Sequence, residues 1–324
     1  MKVYYLGLKK ETIDNNDFFK KAIVVSGADK NDLGFKDIYD CEINYNDIQN
    51  FSKISEFYSM AIEKINKEDK NAKFMLYNQA AIEYMKDTSQ LICINDIKLI
   101  KQLNNKPLCR NLLGQVINLL DYKYLEGKDI SYDKIIEIFD NKYRRYVIQQ
   151  PVGFGGVGTF LMDESNAKSI VEKLDKNTIY SISGYVENSS TVNNTFIVSK
   201  KDILIFDGSY QIIKINGELF YNGWDFEKYS KMDSELKIKI FNQTMNIAKR
   251  MQSLGYLGIC GVDYLIDHDN VYFMEINPRF QASSKELDKK LIQKKLPGVF
   301  ELNYMCFYSQ AKFKKYCIKI GGRQ

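Results

Sequence analysis

Hydrophobic and polar positions follow one grammar in the first part of the chain and another later. Short apolar runs at 3–6 and 22–25, each bounded by polar residues, predict strands. Between 48 and 65 the apolar residues fall at Ile48, Phe51, Ile54, Phe57, Tyr58, Ala61, Ile62 and Ile65, a helical spacing. A strand is predicted over 73–77 and a helical stretch over 79–85. This βαβ rhythm implies a small parallel sheet. A helical segment follows over 96–120, with Pro107 opening its second helix in the first turn.

From about Arg145 the pattern changes to strands and tight turns. A strand at 146–150 leads into a glycine-rich turn at 151–159 and a strand at 160–162. A helix at 165–174 precedes strands at 179–185, 193–199 and 203–206, expected to continue the same sheet. A long amphipathic helix is predicted over 232–254, then strands at 259–266 and 271–277, and helical packing to the end. The fold class is therefore α/β (α+β). At 324 residues, two or three packed subdomains are expected.

Composition narrows the function. Hydrophobic residues make up 45% and charged residues 27%, and no apolar run is long enough to span a bilayer. The net charge of +5 comes from interspersed signs, so neither a nucleic-acid partner nor a membrane partner is expected. Cys41, Cys93, Cys109, Cys260, Cys306 and Cys317 form no C-x-x-C pair, which argues against structural zinc and for a reducing, cytoplasmic setting. The N-terminus lacks the pattern of a secretory signal. His268 is the single histidine and sits in a polar turn, which removes histidine-based hydrolases and His-ligated zinc from consideration.

Candidate chemistry concentrates near the C-terminal strand pair. Glu275 and Asn277 are two apart and project from one face of a strand. With a loop at 268–270, Asp263 stands directly opposite Glu275. Two carboxylates facing across a ladder repel unless a cation lies between them, and an all-oxygen set suits Mg²⁺ or Mn²⁺. Alone, the pair reads equally well as a solvent-facing acidic hairpin. The run Gly153-x-Gly155-Gly156-x-Gly158 exposes backbone N–H groups that wrap an anion, or forms a plain β-turn. Lys106 and Arg110 lie one helical turn apart, either presented to a phosphate or solvated. The stretch from Tyr185 to Asn194 reads as a loop, and Gln211 either bonds a ligand or faces water.

In this order the motifs resemble the ATP-grasp superfamily, specifically its carboxylate–amine ligases and their biotin carboxylase relatives. The resemblance covers roughly 95–284 and is most specific at Phe273-Met274-Glu275-Ile276-Asn277-Pro278-Arg279-Phe280-Gln281. It implies an ATP-grasp domain over 95–324, with a lid at about 146–208, after an N-terminal α/β domain over 1–94. It implies ATP and Mg²⁺ (or Mn²⁺) as cofactors, with Asp263, Glu275 and Asn277 as metal ligands. Lys106, in Asn105-Lys106, would contact the phosphates, and Gly153, Gly155, Gly156 and Gly158 would form the closing lid. Tyr185, Val186 and Glu187 would meet adenine, chiefly by backbone. Gln211 would lie near phosphate or substrate, and Arg279 would support the phosphoryl or acyl intermediate. The family's lid lysine is replaced in Gln149-Gln150-Pro151, with Gln150 taken as its equivalent, and Ser183 stands where a glutamate is usual. The implied activity activates a carboxylate as an acyl phosphate and joins it to an amine, an amino acid or peptide being possible. A bicarbonate-using carboxylase and a non-catalytic nucleotide-binding homologue are the alternatives. Neither the substrates nor the oligomeric state is legible.

Overall fold

The computed structural model describes residues 3–7, 18–24, 50–153, 155–215 and 219–321. Ile48, Cys41, Val25 and Phe154 lie outside the described residues, so the start of the first predicted helix is not placed.

The N-terminal strands β1 (Val3–Gly7), β2 (Lys21–Val24), β3 (Lys73–Leu76) and β4 (Leu91–Ile92) form a parallel four-stranded sheet in the order β2-β1-β3-β4. Helix α1 (Phe51–Asn66) covers it. Asn50 caps α1 by accepting from the Ser52 and Lys53 amides, and Ile54, Phe57, Tyr58, Ala61 and Ile65 make its buried stripe. The stretch predicted as helical at 79–85 is a 3₁₀ helix, Gln79–Tyr84.

Two short helices follow, α2 (Ile97–Asn104) and α3 (Lys106–Leu113). Asn105 ends the first and caps the second by accepting from the Leu108 amide. That cap, with proline in the first turn, fixes Lys106 at the head of α3.

A separate four-stranded antiparallel sheet comes next, in the order β5-β8-β6-β7. Its strands are β5 (Tyr122–Glu126), β6 (Tyr146–Gln149), β7 (Thr159–Met162) and β8 (Ile179–Gly184). Helices α4 (Tyr132–Ile138) and α5 (Ala167–Lys173) pack on one face of it. Strands β9 (Ser190–Val198) and β10 (Ile203–Ile205) do not continue this sheet, contrary to the expectation from the pattern. They pair within a six-stranded sheet ordered β12-β11-β9-β13-β14, with β10 on β9. The sheet that carries the glycine turn therefore spans Tyr122 to Gly184, not 146–208, and strand structure reaches into the expected 185–194 loop.

The remaining strands are β11 (Ser209–Ile215), β12 (Leu219–Asp225), β13 (Gly258–Asp267) and β14 (Asn270–Asn277). The remaining helices are α6 (Phe226–Ser230), α7 (Ser234–Ser253), α8 (Ser284–Gln293), α9 (Val299–Tyr308) and α10 (Gln310–Gly321). Among the described residues there are three apolar clusters. The first joins the N-terminal sheet to α8–α10, with Phe300 packed against Tyr5, Phe19 and Phe280. The second lies between the six-stranded sheet and α7, and the third beneath the four-stranded sheet. Residues before and after position 94 thus share one core. No described helix is long and apolar enough to cross a membrane. Cys93, Cys109, Cys260, Cys306 and Cys317 are all free thiols.

Candidate functional site

The β13–β14 hairpin sets the geometry. On β13, Cys260, Val262, Tyr264 and Ile266 enter the core, which leaves Asp263 on the opposite face. Asp263 pairs directly with Glu275. The turn, however, is two residues long, because Asp267 pairs with Asn270 and His268 takes φ +52°. A bulge between Asp263/Tyr264 and Phe273/Glu275 leaves Met274 as the extra residue and restores the register.

Asp263 and Asn277 are buried and Glu275 is partly exposed. Asn193 Nδ2 donates to Asp263 Oδ1 at 2.5 Å, and Asn277 Nδ2 donates to Asp263 Oδ2 at 3.0 Å. Burial, and then the neighbouring Glu275 charge, push the Asp263 carboxyl well above the ordinary carboxylate range. A cation between the two would reverse that effect. Two carboxylates and one amide form an all-oxygen donor set, which fits Mg²⁺ or Mn²⁺. Among the described residues no cluster of three or more His, Cys, Asp or Glu competes with it.

Arg279 is buried behind this set. It donates to Asn277 Oδ1 at 2.8 Å, to the Phe280 carbonyl at 3.0 Å and to the Tyr77 hydroxyl at 2.9 Å. The last bond ties the hairpin to the N-terminal part of the chain. Gln281 packs against Gly261, where an added Cβ would stand 1.7 Å from its Oε1. A side chain at 261 would have to push the Gln281 amide aside.

Lys106 and Arg110 are both buried at 8% exposure, so the solvated reading fails for each. Lys106 Nζ lies 3.2 Å from Glu275 Oε2 and donates to the Gly153 carbonyl at 3.5 Å. The Lys106 amide, which has no acceptor within its own helix, donates to the Pro151 carbonyl at 2.8 Å. The head of α3 therefore docks on the loop that begins the glycine run.

A cleft of about 460 Å³ opens between the six-stranded and four-stranded sheets, within the range of small-molecule sites. Asp263, Glu275, Asn277 and Arg279 line it from one side, Gly155 and Gly156 from the other, and Tyr185, Val186 and Gln211 also face it. Five expected residues do not line it: Glu187, Lys106, Gly153, Gly158 and Gln150. Glu187 turns outward into a bidentate pair with Arg145 at 2.9 and 2.6 Å, and Arg145 stacks 4.4 Å from the Tyr185 ring. Gly153 lies in the smaller recess beside Lys106. Gln150 folds into the glycine turn, donating to the Val157 carbonyl at 3.4 Å, while Gln149 is the lining residue. The cause is strand alternation, since Ile148 enters the core and Val147 and Gln149 share the cleft face. Gln149, rather than Gln150, therefore occupies the cleft position. The sequence left Arg110 open between phosphate contact and solvation, and the resemblance gave it no role; it lines the cleft through burial that depends on tertiary partners.

Gly158 holds the turn at φ +72°, and a Cβ there would stand 2.0 Å from Gln150 Cδ. Gly158→Ala must distort the backbone and expel Gln150. A nucleotide-binding loss of roughly tenfold is expected from a strain of that kind, measured as ATP affinity by calorimetry.

A parallel N-terminal sheet followed by two antiparallel sheets that enclose a cleft defines a nucleotide-grasping class of fold. The ATP-grasp domain family matches residues 118–283. The chain belongs to the ATP-grasp family. In structure it is similar to N5-carboxyaminoimidazole ribonucleotide synthetase (PurK) in its ADP complex, with a TM-score of 0.60 and 14% identity over 94% of this chain and 76% of that one. It is similar to biotin carboxylase from Campylobacter jejuni, with a TM-score of 0.59 and 14% identity over 86% and 65% of the two chains. It is also similar to L-amino acid ligase from Bacillus licheniformis, with a TM-score of 0.55 and 11% identity over 90% and 70%. No curated protein matches the chain in sequence.

Proposed function

We propose that the chain is an ATP-dependent ligase that activates a carboxylate as its acyl phosphate and joins it to an amine, releasing ADP and phosphate. One observation carries this reading: Asp263 and Glu275 are paired across the hairpin with Asn277 beside them, facing a cleft roofed by a glycine turn. A carboxylate buried beside a second, partly exposed one is costly, and a cation ligand between them would explain its retention. A divalent cation held by Asp263, Glu275 and Asn277 would supply charge cancellation around the phosphate oxygens.

The chain's own residues do the rest. Tyr185 and Val186, at the junction of the two sheets, would hold adenine by backbone contacts, with Val147, Leu265 and Phe273 as the apolar walls. Lys106 and the amides around Gly155 and Gly156 would fix the phosphate tail in line with the acid. Arg279 would sit against the developing charge on the acyl oxygen, braced by Tyr77 and Asn277. Closing the glycine turn would exclude water from the activated acid. The aromatic and polar end of the cleft, Tyr77, Tyr221, Gln281 and Ser283, would receive the acid and the amine.

This reading extends the family's nucleotide chemistry, and the L-amino acid ligase likeness supports an acid–amine acceptor pair. The test is a cross of acids against amines in Mg·ATP, scored by ADP formation and product mass. ADP formation that requires one acid and one amine, with a condensed product, is the expected result. ADP formation that requires bicarbonate and no other acid would replace the ligase by a carboxylase.

A further inference from the structure

None of the side chains by which the four-stranded sheet lines the cleft is charged. They are Tyr122, Val147, Gln149, Thr159 and Ser183. A cation nevertheless stands on the sheet's cleft face, delivered from α3. Arg110 donates to the Ser181 hydroxyl at 2.6 Å and to the Tyr124 hydroxyl at 3.5 Å, and its guanidinium carbon lies 4.6 Å from the centre of the Tyr122 ring. Ser181 pairs with Tyr124 on one side and with Gln149 on the other. The guanidinium therefore sits on Tyr124 and Ser181, in the row that continues to Gln149 on the strand that leads into the glycine turn.

The electrostatics of Arg110 are unbalanced. It is 8% exposed, all of these partners are neutral, and its Nε is buried with no acceptor. Lys106, one turn earlier, already has Glu275. No such carboxylate pairs with Arg110 among the described residues. A guanidinium buried to this degree without a counter-charge is costly, and an anion entering the cleft removes that cost. A planar fork of donors is suited to phosphate oxygens. Arg279 and Tyr77 mark the other end of the cleft, whereas Arg110 lies by the glycine turn, so the anion at Arg110 is the nucleotide's phosphate tail rather than the acid.

The geometry points to Arg110 as a nucleotide-phosphate-binding residue, supplying from the core helix the positive charge that the opposing sheet's lining side chains lack. This inference rests on the reading of the cleft as an ATP site. Its test is calorimetric titration of the full chain, its Arg110→Ala variant and the double variant Arg110→Ala/Gln149→Lys with ADP and with adenosine. Loss of a charge-assisted contact should weaken ADP binding roughly tenfold to a hundredfold in Arg110→Ala. Adenosine affinity should be unchanged, and Gln149→Lys, which restores a cation on the same row, should recover most of the ADP loss. A purely structural role would weaken ADP and adenosine equally and would not be rescued, and that result overturns the inference. Arg110→Lys guards against misfolding: it should bind ADP more tightly than Arg110→Ala, and equal affinities would count against the role. If the unaltered protein binds neither nucleotide nor nucleoside, the ATP-site reading fails and this inference with it. If the unaltered protein and Arg110→Ala bind ADP alike, this inference fails alone.

Discussion

Glu275→Gln is expected to abolish nucleotide turnover while leaving the fold intact. The side chain is partly exposed at the cleft edge and belongs to no apolar cluster, so its isosteric amide costs little packing. What it removes is one of two facing carboxylates, the partner of the buried Lys106, and the negative charge that makes the pair a cation site. ADP formation should fall by a factor on the order of 100 or more, the scale seen when one preorganised electrostatic contact is deleted. A thermal midpoint near that of the unaltered protein, read alongside the rate, separates this from unfolding. Near-normal turnover would show that the pair is a structural feature of the hairpin.

Phe300→Ala should be the most destabilising single truncation of a large side chain in the first core. Phe300 is fully buried, and its ring centre lies 5.5 Å from Tyr5, 5.3 Å from Phe19 and 4.6 Å from Phe280. Removing a buried phenyl ring from such a setting costs about 3–5 kcal/mol through lost transfer energy and the cavity left behind. The loss has a functional side as well. Phe280 follows Arg279 in sequence, and the Phe280 carbonyl accepts one of the Arg279 bonds. Loosening Phe280 should therefore loosen the arginine. Urea denaturation should show a lowered midpoint with an unchanged slope. At a temperature where the variant is folded, turnover should fall more than ATP affinity does. Unaltered stability would mean that the N-terminal sheet and α9 do not share the core described.

The hairpin shows how much of the site was legible and by what route. Alternation at Cys260, Val262, Tyr264 and Ile266 places Asp263 on the non-core face, and the spacing of Glu275 and Asn277 does the same on the partner strand. The expected pairing relied on a three-residue loop. The structure has a two-residue turn and a bulge, and the two departures cancel in the register. A signal of the bulge was present, because Val271 and Phe273 alternate and the next core residue is Ile276, three positions on. The Gln149/Gln150 choice was also within reach, since the alternation that buries Tyr146 and Ile148 sends Gln149 to the cleft.

Other features were not written in local pattern. β5 was missed because Tyr122 and Tyr124 alternate with polar residues and Tyr122 turns to the cleft instead of the core. Strand assignment to one sheet or another was not readable, because alternation gives a face and not a neighbour. The burial of Lys106 and Arg110 depends on Glu275, Pro151 and Ser181, which are distant in sequence. The order of motifs, rather than any one of them, carried the family resemblance, and the match over residues 118–283 agrees with it.

On this reading the cleft takes a nucleotide together with a divalent cation held by the hairpin. The most direct measurement is the affinity for ATP in Mg²⁺ and again after chelation, in the unaltered protein and in Asp263→Asn. Binding in Mg²⁺ is expected to weaken at least about tenfold on chelation, following the metal's role in clamping phosphate oxygens, whereas in the variant the two conditions should give nearly the same weak affinity. ATP affinity that is identical with and without Mg²⁺ in the unaltered protein, or the same metal dependence in the variant, would contradict that reading.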